Sequence, residues 1–376
     1  MSDYFGKEVP KLGFGLMRLP KKGLHTDIEQ VKHMVDLFIE AGFTYFDTAF
    51  VYLGSEAAIK KALVDRYPRE AYTLATKLNA MLAASEKSAK NQFYTSLERT
   101  GAQYFDYYLL HALMKNNYSK YDKFHLWDFV EEQKEKGLIK HLGFSFHAGP
   151  ELLDQLLKEH PDVDFVQLQI NYADWENPSV TARANYEVAR KHGKPIVVME
   201  PVKGGNLANP PEEVKKLLKE YRPDMSYASW AIRFVASLDG IITVLSGMSN
   251  TEQMEDNLSY MKAFQPLNEE EQKIIQEVQR ILGKSSTIPC TACHYCTEGC
   301  PKNIPIPEIF SAMNKQLGNG QMAEAALDYK KATDSAGRAS DCINCKQCER
   351  ACPQHIEITD CLGRCAEILE RDTNGQ

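Results

Sequence analysis

The sequence predicts an α/β fold, a (β/α)8 TIM barrel followed by a small, mostly helical domain. Two observations carry this expectation. Through residues 28–261, short apolar strands alternate with amphipathic helices, the pattern of a parallel sheet with helical crossovers. A duplicated cysteine run then fills the C-terminal part, and it is the chain's one internal repeat. At 376 residues the chain exceeds one average domain and suits a barrel with an appendage.

Seven strands are predicted, at Phe43–Asp47, Tyr72–Lys77, Tyr107–His111, Ile139–Ser145, Phe165–Ile170, Ile196–Glu200 and Ile241–Ser246. Helical periodicity fills the gaps over Ile28–Ala41, Glu56–Tyr67, Glu86–Thr100, Lys123–Lys136, Glu151–Glu159, Val180–His192 and Ser226–Ala236, with Thr251–Met261 after the last strand. Closing the barrel needs an eighth strand near Gly13 or Thr44. Gly13-Phe14-Gly15 superficially suggests a dinucleotide-binding turn, but Pro20 and Gly23 follow it rather than a helix. Lys11–Leu16 is therefore predicted to be an N-terminal hairpin, and an open doubly wound sheet is disfavoured. A charged helix over Asn268–Leu282 leads to Gly283-Lys284-Ser285-Ser286, a hinge that divides residues 1–283 from 284–376. Beyond it, helices are expected over Pro307–Asn314, Gln321–Lys331 and Glu357–Leu369.

Composition narrows the functional classes. Hydrophobic residues at 43% and charged residues at 25% are ordinary globular values. A net charge of −7 and a pI of about 5.9 offer nothing to a nucleic-acid backbone or an anionic membrane surface. Met1–Lys7 lacks a signal-peptide core, and no apolar run reaches membrane-spanning length. A cytoplasmic protein is expected.

The cysteines are more specific. Cys290, Cys293, Cys296 and Cys300 precede Pro301; Cys342, Cys345, Cys348 and Cys352 precede Pro353. Both runs read C-x2-C-x2-C-x3-C-P, the spacing by which bacterial-type ferredoxins hold [4Fe–4S] clusters. Three thiolates of one loop reach three irons, and the fourth cysteine usually ligates the other cluster. Cys290, Cys293, Cys296 and Cys352 are thus expected on one cluster, and Cys342, Cys345, Cys348 and Cys300 on the other. Zinc sites use paired C-x2-C units instead, and disulfides would require export. The helical span between the runs resembles the ferredoxin-like two-cluster modules fused to many redox enzymes. Cys361 and Cys365, four apart on a helix, share one face, and packing near a cluster is favoured over ligation or a redox pair.

Polar residues at successive strand ends point to chemistry in the barrel, because such active sites form at the strands' C-terminal rim. Asp47 and Tyr52 follow one strand, Lys77 ends the next, and His111 ends the third. Each alone has a bland reading as a cap, a rim residue or a structural imidazole. Together they suit acid catalysis, since a lysine beside a tyrosine lowers the phenol's pKa from about 10. Asp47 would keep Lys77 charged, and His111 could orient a carbonyl. Trp127 and Trp175 read as core or rim aromatics, although Trp175 follows a barrel strand and could touch substrate, and His147 reads as a rim residue and only secondarily as a substrate contact.

Gly42-Phe43-Thr44-Tyr45-Phe46-Asp47-Thr48-Ala49, with Tyr52, Gly54, Ser55 and Glu56 after it, resembles the first strand and loop of the aldo/keto reductase family. The resemblance covers residues 8–260, and the cysteine tail matches a subset carrying a C-terminal two-cluster domain. It implies that Tyr52 donates a proton to a carbonyl oxygen, tuned by Lys77 and Asp47, while His111 helps bind the carbonyl and a nicotinamide supplies hydride. By position, Ser145 and Gln167 would hold the carboxamide. Pro201, Val202, Lys203, Gly204 and Gly205 would carry the pyrophosphate, and Gly247, Ser249, Gln253, Asp256 and Asn257 would surround the adenosine end. Three positions depart from the family pattern. Met199 stands where an aromatic often stacks on the nicotinamide, Glu200 brings negative charge, and Gly247–Asn250 contains no Arg or Lys for a 2′-phosphate.

The leading expectation is an NAD(P)H-linked oxidoreductase acting on a small carbonyl or alcohol. NADP(H) and NAD(H) both stay open, and the clusters relay single electrons to a partner such as a ferredoxin or flavoprotein. A second reading is a cluster- or flavin-driven reductase with a vestigial nicotinamide site. A third is an electron-transfer or redox-sensing module with the barrel as scaffold, against which the intact set Asp47, Tyr52, Lys77 and His111 speaks.

Overall fold

Eight parallel strands close a barrel in sequence order: β1 (Leu12–Gly15), β2 (Tyr45–Asp47), β3 (Thr73–Leu78), β4 (Phe105–Leu113), β5 (Ile139–Phe146), β6 (Phe165–Gln169), β7 (Ile196–Met199) and β8 (Ile241–Ser246). The computed structural model describes residues 2–5 and 7–370. Two compact units emerge, Met1–Val202 with Ala228–Gln272, and Lys203–Tyr227 with Lys273–Gln376.

The eighth strand expected near Gly13 or Thr44 is the one at Gly13. Leu12–Gly15 is β1, not the hairpin arm expected over Lys11–Leu16, and it pairs Gly13 with Tyr45 on β2 and with Leu245 on β8. Consequently Tyr45–Asp47, matched to the family's first strand, is the second in the barrel. Gly13 serves packing, because a Cβ there would lie 2.8 Å from Leu245 Cδ2. The N-terminal hairpin exists one step earlier, with Ser2–Tyr4 pairing Lys7–Val9. Phe5 between those arms stacks on His141 with ring centroids 4.3 Å apart, at the start of β5. Val9 joins Tyr45, Tyr107, Phe165 and Val197 in the core inside the barrel. A larger core fills the layer between strands and helices.

Local signals set several helix ends. Ser85 and Ser88 form a reciprocal capping box on Glu86–Thr100, which stops at Gly101 in the left-handed region. Asp27 and Asn250 cap Ile28–Glu40 and Thr251–Met261 by accepting from Gln30 N and Gln253 N. The helix expected over Lys123–Lys136 is instead two, Tyr118–Lys123 and Leu126–Glu135, because His125 between them takes a φ of 48°. Glu212–Tyr221 is a further helix, missed because charged residues dominate it and its two most buried side chains are Val214 and Leu218.

Two buried ion pairs fasten the barrel unit. Arg69 meets Asp106 at 2.6 Å below β3 and β4, and Asp106 also accepts from Leu74 N. Arg233 grips Glu271 through two hydrogen bonds of 3.0 and 2.8 Å, fixing the start of Glu269–Leu282. The second unit has its own core. Helices Ile306–Asn319, Met322–Thr333 and Ile358–Leu369 bury Ile309, Phe310, Met313, Leu362 and Leu369, with Cys296, Cys348 and Cys352 among them.

Candidate active site and cysteine cavities

Asp47, Lys77 and His111 stand at the ends of β2, β3 and β4 and are all buried. Lys77 donates to Asp47 and, at 2.7 Å, to Thr48 O. Tyr52 lies on the loop after β2, and that loop is stitched to the strand bearing Lys77. Thr48 N donates to Ala75 O and Phe50 N to Lys77 O. Ser55 at the loop's far end donates to Leu16 O, anchoring it to the segment after β1. The Lys77 ammonium therefore sits 5.1 Å from the Tyr52 ring centroid, and the Tyr52 ring meets His111 edge-on at 5.7 Å. The structure thus brings all four predicted residues together.

Burial dominates the electrostatics. It pulls Lys77 below its ordinary value and pushes Asp47 above its own, each effect opposed by the other's charge. Burial, then the Lys77 and His147 charges, hold His111 well below the ordinary histidine value. His111 is accordingly a neutral imidazole near pH 7, and its Nδ1 is buried with no hydrogen-bond partner among the described residues.

His111 reaches this place through an irregular strand. The β4–β5 register shifts between Leu110 and Leu113, and Ala112 adopts a φ of 56°, the re-aiming device of a bulge. Ala112 N donates to Ser145 Oγ at 2.7 Å, and Asn117 Nδ2 donates to Ala112 O. Ser145 thus locks the bulge while its own hydroxyl proton remains to be donated onward. Gln167, on β6, approaches Asp47 Oδ2 at 3.4 Å.

The other predicted cofactor residues scatter along β7, β8 and the segments after each. Met199 ends β7, and Pro201 is buried while Val202 is half-buried. Glu200 takes a left-handed φ of 56°, and Asn171 Nδ2 donates to its carbonyl. The Glu200 charge is met by Arg18 at 3.4 Å. Arg18 went unnoticed in the sequence; its signal was its place just beyond β1 on the same rim. After β8, Gly247 is exposed and Ser249 N donates to Gln253 Oε1. Asn257 donates to Ser246 Oγ and accepts from Tyr260, so it ties its helix to the end of β8; Asp256 is half-buried beside it.

Lys203, Gly204 and Gly205 belong to the second unit. There Gly204, at a φ of 64°, lies against the first cysteine run: a Cβ would be 2.4 Å from Thr291 O. Asn206 Nδ2 donates to Cys290 O at 3.1 Å.

The cysteines line two cavities. Cys290, Cys293, Cys296 and Cys352 line one; Cys300, Cys342, Cys345 and Cys348 line the other. The fourth cysteine of each run sits with the opposite loop. No three His, Cys, Asp or Glu side chains among the described residues are grouped as ligands of a single ion; each set of sulfurs encloses a wider space. Burial pushes the Cys290 thiol up to about 12 and Cys348 to about 11, so thiolates here need a cationic guest. Four sulfurs around one void, with isoleucines beside them, suit an iron–sulfur cluster. Cys361 and Cys365 line neither cavity, and Cys365 is wholly buried in the tail core.

An aldo/keto reductase family model matches residues 11–280. The chain belongs to the aldo/keto reductase family. A 4Fe-4S dicluster domain matches residues 289–357, so this aldo/keto reductase, an oxidoreductase, carries an iron–sulfur domain at its C-terminal end. The uncharacterized oxidoreductase YqkF of Bacillus subtilis is 26% identical over 297 residues, spanning 72% of this chain and 92% of its own. The aldo-keto reductase AKR11C1 of Bacillus halodurans, in its holo form, matches with a TM-score of 0.58 at 26% identity, covering 73% of this chain and 93% of that one. A Klebsiella pneumoniae aldo-keto reductase solved with NADPH shares the fold at 18% identity and a TM-score of 0.59, covering 72% and 91%.

Three more residues weighed in the sequence make packing or backbone contacts. Trp127 stacks on His160 with centroids 3.7 Å apart and donates to Asp122, while Trp175 packs edge-on against Phe234. His147 N donates to Leu113 O beside the β4 bulge. Among the described residues no helix is long and apolar enough to cross a membrane.

Proposed function

We propose that this aldo/keto reductase is an NAD(P)H-linked enzyme reducing a small carbonyl, or oxidising the corresponding alcohol, and that its tail holds two [4Fe–4S] clusters. The observation that carries the reading is the buried Lys77–Asp47 pair with Tyr52 over it and neutral His111 alongside. Tyr52 gives its proton to the carbonyl oxygen. Lys77 stabilises the phenolate that remains, and Asp47 keeps Lys77 charged in its buried place. His111, a neutral imidazole, binds the carbonyl oxygen by hydrogen bond without competing for the proton. When bound, a nicotinamide dinucleotide supplies hydride to the carbonyl carbon.

Ser145 and Gln167 would hold the carboxamide, Met199 would pack against the nicotinamide, and Pro201 and Val202 would lie towards the pyrophosphate. Gly247, Ser249, Gln253, Asp256 and Asn257 would lie towards the adenosine. Because Arg18 neutralises Glu200, that carboxylate is no obstacle to an anionic cofactor. Gly247–Asn250 holds no lysine or arginine that would select NADP(H) over NAD(H), so both serve as hydride donors to be assayed. The clusters, on the two cysteine sets described, exchange single electrons with a redox partner.

Carbonyl reduction by Tyr52→Phe against a panel of aldehydes and ketones, with NADPH and NADH, tests the assignment. General-acid loss lowers kcat about 10²–10⁴-fold; undiminished turnover would remove Tyr52 from its role. A second reading, a cluster- or flavin-driven reductase with a vestigial nicotinamide site, is favoured by Met199 and the missing basic residue. Tight binding of either reduced nicotinamide, read by fluorescence, counts against it.

A further inference from the structure

The two cysteine cavities differ in their rims. The cavity of Cys290, Cys293, Cys296 and Cys352 has no exposed cysteine and no lysine or arginine in its lining. The cavity of Cys300, Cys342, Cys345 and Cys348 has Cys345 exposed, and its only charged lining residues are Lys302 and Lys346. Ile343, between two of the cysteines, is 57% exposed, one of few large apolar side chains so open.

Charge around this second cavity runs against the chain's net −7. Lys302 is exposed. Lys346 stands 3.6 Å from Glu349, yet the Lys346 side chain is 55% exposed and that of Glu349 only 18%. Glu349 is turned inward, accepting from Thr359 N at 3.0 Å and Thr359 Oγ1 at 2.6 Å. Arg350 is exposed and approaches Cys345 O at 3.5 Å. Asp341 is engaged by Arg338 N at 2.7 Å, and the exposed carboxylates of Glu298, Glu357 and Asp360 do not line the cavity. The exposed Ile343 with Lys302 and Lys346 at the cavity and Arg350 beside it is the complement of an acidic protein surface, which charge would steer onto it.

We propose that the cluster held by Cys300, Cys342, Cys345 and Cys348 is the electron port, and that Ile343, Lys302, Lys346 and Arg350 dock a small acidic iron–sulfur carrier protein there. The proposal rests on the two-cluster reading of the tail. In the transfer, the reduced carrier loses one electron and this cluster gains it; no bond is made or broken and no proton moves. The other cluster, with no exposed cysteine, receives its electron through the first.

The full-length protein, purified anaerobically, is mixed with a reduced acidic ferredoxin in stopped flow, following cluster absorbance. Iron content, the paramagnetic signal of the reduced clusters and reduction by dithionite are measured in parallel. The Lys302→Glu/Lys346→Glu variant should keep its clusters and its dithionite reduction. Its electron uptake from the ferredoxin should fall at least ~10-fold at low ionic strength, with the salt dependence flattened. Ile343→Asp should slow uptake likewise, and Lys330→Glu/Lys331→Glu, the same change of net charge on another helix, should leave it unaltered. Unchanged rates in the first variant, or equal slowing in the last, would overturn the docking proposal. A wild-type chain lacking iron would instead overturn the cluster reading beneath it.

Discussion

Lys77 and Asp47 are a pair whose charges are worth keeping only together. Both side chains are almost wholly buried, and each supplies the partner that offsets the other's desolvation. Lys77→Met should therefore abolish turnover and also leave Asp47 as an uncompensated buried carboxylate, costing about 3–5 kcal/mol. Chemical denaturation reads the second effect independently of activity; a stable but inactive variant would mean that the pair matters for chemistry alone. His111 makes a different prediction. Its folded pKa lies well below its unfolded one, so the unfolded chain binds the proton first as pH falls. Stability is unaffected by this group above pH ~6.5 and declines below it, by up to about 1.4 kcal/mol per pH unit until the folded pKa is reached. In His111→Gln that part of the acid slope should vanish from denaturation midpoints measured between about pH 7 and 5.

The Arg69–Asp106 pair belongs to the opposite end of the strands, the face whose residues serve stability rather than catalysis. Asp106→Ala removes the acceptor of both Arg69 and Leu74 N. It should lower the unfolding free energy by about 3–5 kcal/mol while kcat stays as in the unaltered protein. Elements of this barrel were legible in the sequence where one periodicity or one cap decides them. The helices Glu86–Thr100 and Thr251–Met261 fall on their predicted bounds because Ser85, Gly101 and Asn250 are local signals. β1 was legible only as one of two places for the eighth strand, because Leu12–Gly15 becomes a strand through Tyr45 and Leu245, which lie far along the chain. The four residues proposed for catalysis were picked out by their places at or just after strand ends, and they do lie together. Arg18 was not, since its relation to Glu200 exists only once β1 and β7 share a rim.

Each of the two units closes its own core, and the second builds part of its core from sulfur. The cysteine spacing made the grouping around the two cavities legible, since the alternation of the fourth cysteine is a property of the run. It said nothing of residues 203–227, which join the tail by contacts absent from any local pattern: Gly204 beneath Thr291, and Asn206 on Cys290 O. Those contacts give the loop a stake in the first cysteine cavity. Stripping iron with a chelator under reducing conditions leaves eight thiols around two voids and removes the guest that binds the two runs together. The tail should then lose its cooperative unfolding transition, and amide exchange should rise across residues 289–357. The same rise should reach Lys203–Ala208, whose Gly204 and Asn206 rest on the loosened segment. Strands β2 to β6 should keep their protection, because their core contains none of the cluster cysteines. Exchange rising equally in those strands would mean that the two cores unfold as one. A loop that stayed protected while the cysteine runs opened would break the link between Asn206 and Cys290.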